Sequence, residues 1–168
     1  MFSEDLLTQA ETVLARCREM GITLATAESC TGGLIAGCLT EIAGSSDVVD
    51  RGYVTYSNQA KMDLLRVPDD MLRENGAVSE QVARAMAEGA LEQSKADLTI
   101  AVTGVAGPGG GSDEKPVGLV HIACARKEQH TLHLRCSFGD QGRTRIRELT
   151  VLSALELIMK QLGQSTLA

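Results

Sequence analysis

Two apolar periodicities alternate along this chain, and the first change from one to the other, at Thr26-Ala27-Glu28-Ser29-Cys30-Thr31-Gly32-Gly33, points to an α/β fold. Ile22 to Thr26 reads as a short buried strand, whereas Leu34, Ile35, Cys38, Leu39 and Ile42 recur at helical spacing. A hydroxyl or thiol at such a junction lies beside the unpaired N–H groups of a helix start, which can stabilise negative charge developing on a substrate oxygen. Small residues leave room for a substrate to approach. Ser, Thr and Gly are also ordinary capping residues, so the junction by itself does not define a site.

The same alternation continues. Ser3 caps a first helix whose apolar face is Leu6, Leu7, Ala10, Val13, Leu14, Cys17 and Met20, with Gly21 just past its end. A turn at Ala43-Gly44-Ser45-Ser46 leads to a second strand, Val49 to Tyr56. Ser57 caps a helix that carries Lys61 and ends before Pro68, and an acidic helical segment from Pro68 to Asn75 stops at Gly76. Ser79 caps a long helix with Val82, Met86, Ala90 and Leu91 inward, followed by a compact strand from Leu98 to Thr103. Gly104 to Pro116 is the one long loop. Val117 to Ala125 and His130 to Phe138 then form an antiparallel hairpin, and a last helix places Ile146, Leu149, Leu152, Leu155 and Ile158 or Met159 inward. The expected architecture is a single three-layer α/β/α domain over residues 1–168 with a mixed, mostly parallel sheet.

Composition excludes several classes. The chain has 168 residues, 43% of them hydrophobic, and no apolar run of 18, so it reads as one soluble domain without a membrane span. Five cysteines without a Cys-x-x-Cys pair suit a reducing cytoplasm rather than a disulfide framework. A formal charge of -6 and an aromatic content of only two Phe and two Tyr argue against nucleic acid as a partner. No His, Cys, Asp or Glu cluster has metal-ligand spacing, so neither metal nor cofactor is expected.

If the first three strands run parallel, their C-terminal ends meet at one edge, where open α/β sheets bind ligands. Ser29, Tyr56 and Thr103 then converge, and Lys61, one helical turn beyond Tyr56, reaches the same rim. The loop Gly107 to Gly111 hangs over it and can offer backbone N–H groups to an anion, although it matches neither the Walker nor the dinucleotide fingerprint.

Five segments in order, Ala27 to Gly33, Gly52 to Lys61, Gly76 to Ser79, Thr103 to Pro108 and Glu114 to Gly118, resemble the CinA C-terminal domain family. The resemblance covers nearly the whole chain. It implies a nicotinamide-nucleotide amidase in its stand-alone form, hydrolysing nicotinamide mononucleotide to nicotinic acid mononucleotide and ammonia. An amide is a poor electrophile, so such an enzyme must deprotonate a nucleophile and stabilise an oxyanion. The three histidines, His121, His130 and His133, lie in or beside the late strands, which disfavours a Ser-His-Asp triad and leaves Lys61 as the base. A lysine is a base only when neutral, which requires burial or a neighbouring positive charge such as Arg143. The resemblance implies Ser29, Lys61 and Tyr56 as catalytic residues, with Cys30, Thr31, Gly32, Thr103, Gly104, Gly107 and Arg143 holding the substrate. Cys30 is the intrinsically better nucleophile and stays the alternative to Ser29, since neighbouring side chains at a strand end point in different directions. A small-molecule nucleotide is the expected partner, together with a second copy of the chain in a homo-oligomer, a dimer. A non-catalytic nucleotide-binding or competence-associated module, and an amidase or esterase for another substrate, are the alternatives.

Overall fold

Helix α1 (Glu4–Met20) begins where Ser3 Oγ accepts a hydrogen bond from Leu6 N and ends where Gly21 turns left-handed at φ 63°. It leads a computed structural model that describes residues 1–163. The chain continues through β1 (Leu24–Glu28), α2 (Leu34–Thr40), a 3₁₀ turn at Ser45–Asp47, β2 (Val49–Val54), α3 (Asn58–Leu65), α4 (Asp69–Asn75) and α5 (Glu80–Gln93). The remaining elements are β3 (Leu98–Gly104), β4 (Leu119–Arg126), β5 (Leu132–Ser137) and α6 (Arg143–Leu162).

The sheet order is β2-β1-β3-β4-β5. Strand β1 pairs in parallel with β2 and β3, while β4 is antiparallel to both β3 and β5. Two reversals restore direction, so β5 runs with β1, β2 and β3, and the sheet is mixed with four of its five strands aligned. The C-terminal ends of these four strands share one edge. The loop to α6 therefore starts at that edge, beside the ends of β1 and β3.

The two sheet faces differ in side-chain size. Leu24, Leu98, Ile100, Val102, Val120 and Ile122 face α1, α2 and α6. Ala27, Ala101, Ala123 and Ala125 face the layer of α3, α4 and α5. Alanines let α5 settle close to the strands, and α3 also packs tightly on α5: a Cβ at Gly89 would lie 1.9 Å from the carbonyl oxygen of Leu65. This thin layer carries Lys61.

Some boundaries differ from the sequence reading. Strand β1 extends two residues further, to Glu28, because the parallel ladders on both sides continue through it. Strand β2 ends at Val54, leaving Tyr56 outside the sheet with 59% of its surface exposed. Strand β4 begins at Leu119, since Gly118 sits at φ 92° in a turn where a Cβ would meet the Gly139 carbonyl oxygen at 2.2 Å. Leu91, Leu149 and Leu152 are half-buried. The buried face of α6 includes Thr150 instead, whose hydroxyl donates to Ile146 O at 2.7 Å and so enters the core without an unpaired donor.

Candidate active site

A cleft of about 290 Å³ opens at the shared strand edge. Ser29 enters it from the end of β1, Thr103 and Gly104 from the end of β3, Tyr56 from the segment after β2, Lys61 from α3, Gly107 from the long loop and Arg143 from the first residue of α6; Cys30 lines it too.

Lys61 forms its floor. The side chain is 1% exposed, and Nζ lies 3.1 Å from Ser29 Oγ, 2.8 Å from Thr55 O and 3.4 Å from Tyr56 O. Among the described residues no carboxylate pairs with it. Burial holds its pKa below the usual 10.5, and the neighbouring Cys30 acts in the opposite direction. The sequence offered Arg143 as a source of that shift, but burial is the principal cause, and the Arg143 guanidinium is engaged elsewhere. A neutral amine has two N–H donors and one lone pair. With the Thr55 and Tyr56 carbonyls accepting the two hydrogens, the lone pair is left for the Ser29 hydroxyl.

Cys30 is 6% exposed, and burial pushes its thiol up to about 12. A thiol so far from ionisation is a weak nucleophile, whereas the adjacent hydroxyl has a base in contact. Of the two candidates the sequence left open, Ser29 is the one whose side chain contacts Lys61.

The roof joins three elements. Arg143 donates to Gly107 O at 2.9 Å and to the Tyr56 hydroxyl at 2.9 Å, tying the loop and the segment after β2 to α6. Gly109 and Gly110 also line the cleft, and Gly107 and Gly110 have φ of 78° and 82°. Thr103 is 1% exposed, and its hydroxyl donates to Ala77 O at 2.8 Å.

Thr31 and Gly32 do not join this group. Thr31 is fully buried with its hydroxyl on Glu28 Oε1 at 2.7 Å, and Gly32 is exposed outside the cleft. The sequence reading overlooked Thr55, whose carbonyl holds the lysine, and gave no role to Glu28 or Arg147. A carboxylate in an otherwise buried strand was the available signal for Glu28, because a buried charge needs compensating partners.

The CinA C-terminal domain model matches residues 7–162. The chain is 52% identical over 162 residues to a CinA-like protein of Synechococcus sp. (strain RCC307) and 50% identical over 162 residues to a CinA-like protein of Geotalea daltonii. Each alignment covers 96% of this chain, and the chain spans 39% of the length of either relative. Among solved structures, the competence/damage inducible protein CihA from Agrobacterium tumefaciens is 54% identical with a TM-score of 0.94, covering 98% of this chain and 99% of its own. A CinA superfamily protein from Escherichia coli is 34% identical with a TM-score of 0.89, covering 96% of this chain and 94% of its own. The chain belongs to the CinA C-terminal domain family.

Proposed function

We propose that this chain is an amidohydrolase that converts nicotinamide mononucleotide to nicotinic acid mononucleotide and ammonia, with Ser29 as nucleophile and Lys61 as base. The observation that carries the reading is the 3.1 Å contact between Ser29 Oγ and a buried lysine that has no carboxylate partner among the described residues. Neutral Lys61 takes the hydroxyl proton as Ser29 Oγ bonds to the carboxamide carbon. The resulting oxyanion must be met by hydrogen-bond donors lining the cleft. Lys61 then delivers its proton to the amide nitrogen, the C–N bond breaks and ammonia leaves a Ser29 ester. Water, deprotonated by the same amine, attacks that ester, and the proton returned to Ser29 Oγ frees the carboxylic acid. Arg143 and the Gly107–Gly110 backbone supply donors for the nucleotide phosphate. Five free cysteines are compatible with a cytoplasmic setting, and no helix among the described residues is long and apolar enough to cross a membrane.

The test is ammonia release from nicotinamide mononucleotide. Ser29→Ala is expected to lose activity on the order of 10³-fold or more while still binding the nucleotide. Cys30→Ala should keep most of its turnover. Nucleotide binding without ammonia in the wild type would support a binding module instead, and an inactive Cys30→Ala beside an active Ser29→Ala would move the nucleophile by one residue.

A further inference from the structure

The carboxylate of Glu28 is fully buried and saturated. Oε1 accepts from Thr31 Oγ1 at 2.7 Å and Ile35 N at 2.8 Å, and Oε2 from Thr26 Oγ1 at 3.1 Å and Ala36 N at 3.0 Å. Two of these donors are first-turn amides of α2. A side chain at the N-cap would ordinarily take one of them, but that position is Gly33, at φ 103° with no side-chain bond. Capping has moved to the residue that immediately precedes Ser29.

The main chain of Glu28 reaches the other half of the dyad. Its carbonyl accepts from Thr55 N at 2.9 Å, and the Thr55 carbonyl is the shortest contact of Lys61 Nζ, at 2.8 Å. Displacing Glu28 therefore moves the nucleophile through one peptide bond and the base through two hydrogen bonds joined by Thr55. From α6, Arg147 Nε donates to Cys30 O at 3.2 Å and Nη2 to Thr31 O at 3.1 Å, and Gly32 N closes the turn on Ser29 O at 3.0 Å. The two carbonyls that follow the nucleophile are thereby held on a cation.

We infer that Glu28 and Arg147 are positioning residues for the Ser29–Lys61 dyad, with Thr31 acting through Glu28. This role presupposes the serine–lysine reading of the site. It requires the buried carboxylate as such: in Glu28→Gln one acceptor becomes an NH2 that faces another donor, so the turn must shift. A shift of about 1 Å between reacting groups can cost on the order of 10²-fold in rate.

The test separates position from folding by labelling Ser29 with a small sulfonyl fluoride. The serine oxygen bonds to sulfur, fluoride leaves, and Lys61 takes the proton. The labelled fraction reports how much protein is folded, and the rate constant reports how well the dyad is aligned. Glu28→Gln and Arg147→Met are expected to label to full stoichiometry at least about tenfold more slowly, and Thr31→Val about threefold more slowly. For ammonia release, Thr31→Val should lower kcat and leave KM unchanged. Thr31→Val keeps the carboxylate and its remaining three donors, so it remains informative if Glu28→Gln fails to fold. Wild-type rate constants in the variants, a reduced labelled fraction that reacts at the wild-type rate, or a wild-type serine that takes no label would each overturn the assignment. A wild type that labels but releases no ammonia from nicotinamide mononucleotide would remove the substrate and leave the positioning role standing.

Discussion

A lysine shut away from water with two carbonyls and one hydroxyl around it trades stability for a neutral amine. In the unfolded chain the amine titrates near its ordinary 10.5, and in the folded protein it titrates lower. Between those two values the unfolded state binds more protons, so stability rises with pH across that interval. The wild type should accordingly gain stability relative to Lys61→Met on going from pH 7 toward 10, as read from urea unfolding of both proteins at each pH. A difference that does not vary with pH would mean that Lys61 titrates alike in both states. Under the proposed mechanism ammonia release should show the matching acid limb, failing as pH drops through the folded pKa. Arginine cannot become neutral in this range. Lys61→Arg should therefore be nearly as inactive as Lys61→Ala in ammonia release, and substantial activity in Lys61→Arg would reassign the lysine to electrostatic binding.

At the scale of the element, the site depends on how closely two helices approach. Gly89 lies inside α5, where alanine is intrinsically better by about 1 kcal/mol. Its neighbour is the Leu65 carbonyl of α3, at a distance no Cβ can occupy. Gly89→Ala should thus destabilise the protein by about 1–3 kcal/mol despite the better propensity, and it should lower turnover because α3 carries Lys61. Thermal unfolding with kcat measured on the same sample checks both effects, and a raised Tm would show that the contact relaxes at no cost. Local chemistry made such elements readable: Ser3, Ser57 and Ser79 accept the cap bonds that their positions suggested. Sheet order was not readable in this way, because pairing β1 between β2 and β3 is a matter of non-local contacts. Periodicity also misjudged what a helix face can bury. Thr150 enters the core by bonding its own backbone, and Lys61 because its amine has three partners, facts that no helical wheel contains. The likeness to known motifs singled out Lys61 where its residue type argued for the surface. It did not separate Thr31, which serves Glu28, from the residues that line the cleft.

At the scale of the whole molecule, the cleft is built at one edge of one sheet, where strand ends, a loop and the start of α6 meet. The pyridine amide is common to nicotinamide, its riboside and the mononucleotide, so any preference among them must come from contacts to ribose and phosphate. Remote contacts can also hold the amide against Ser29, so shorter substrates should lose kcat as well as affinity. In the wild type kcat/KM should fall from the mononucleotide to the riboside to nicotinamide, and Arg143→Ala should narrow that span. Equal values for all three substrates would show that no phosphate site contributes, and an unchanged preference in Arg143→Ala would assign the phosphate to the loop backbone.

From α6, Arg143 lines the cleft and Arg147 holds the turn after Ser29, whereas Ser29 and Lys61 lie in the first half of the sequence. On the ribosome the dyad therefore emerges long before the two guanidinium groups that complete its surroundings. A nascent chain still lacking α6 holds a serine and a lysine without the clamp on the nucleophile turn or the tie across the roof. On the proposed reading the site is complete only once α6 has packed, so its assembly follows the order of its residues along the sequence.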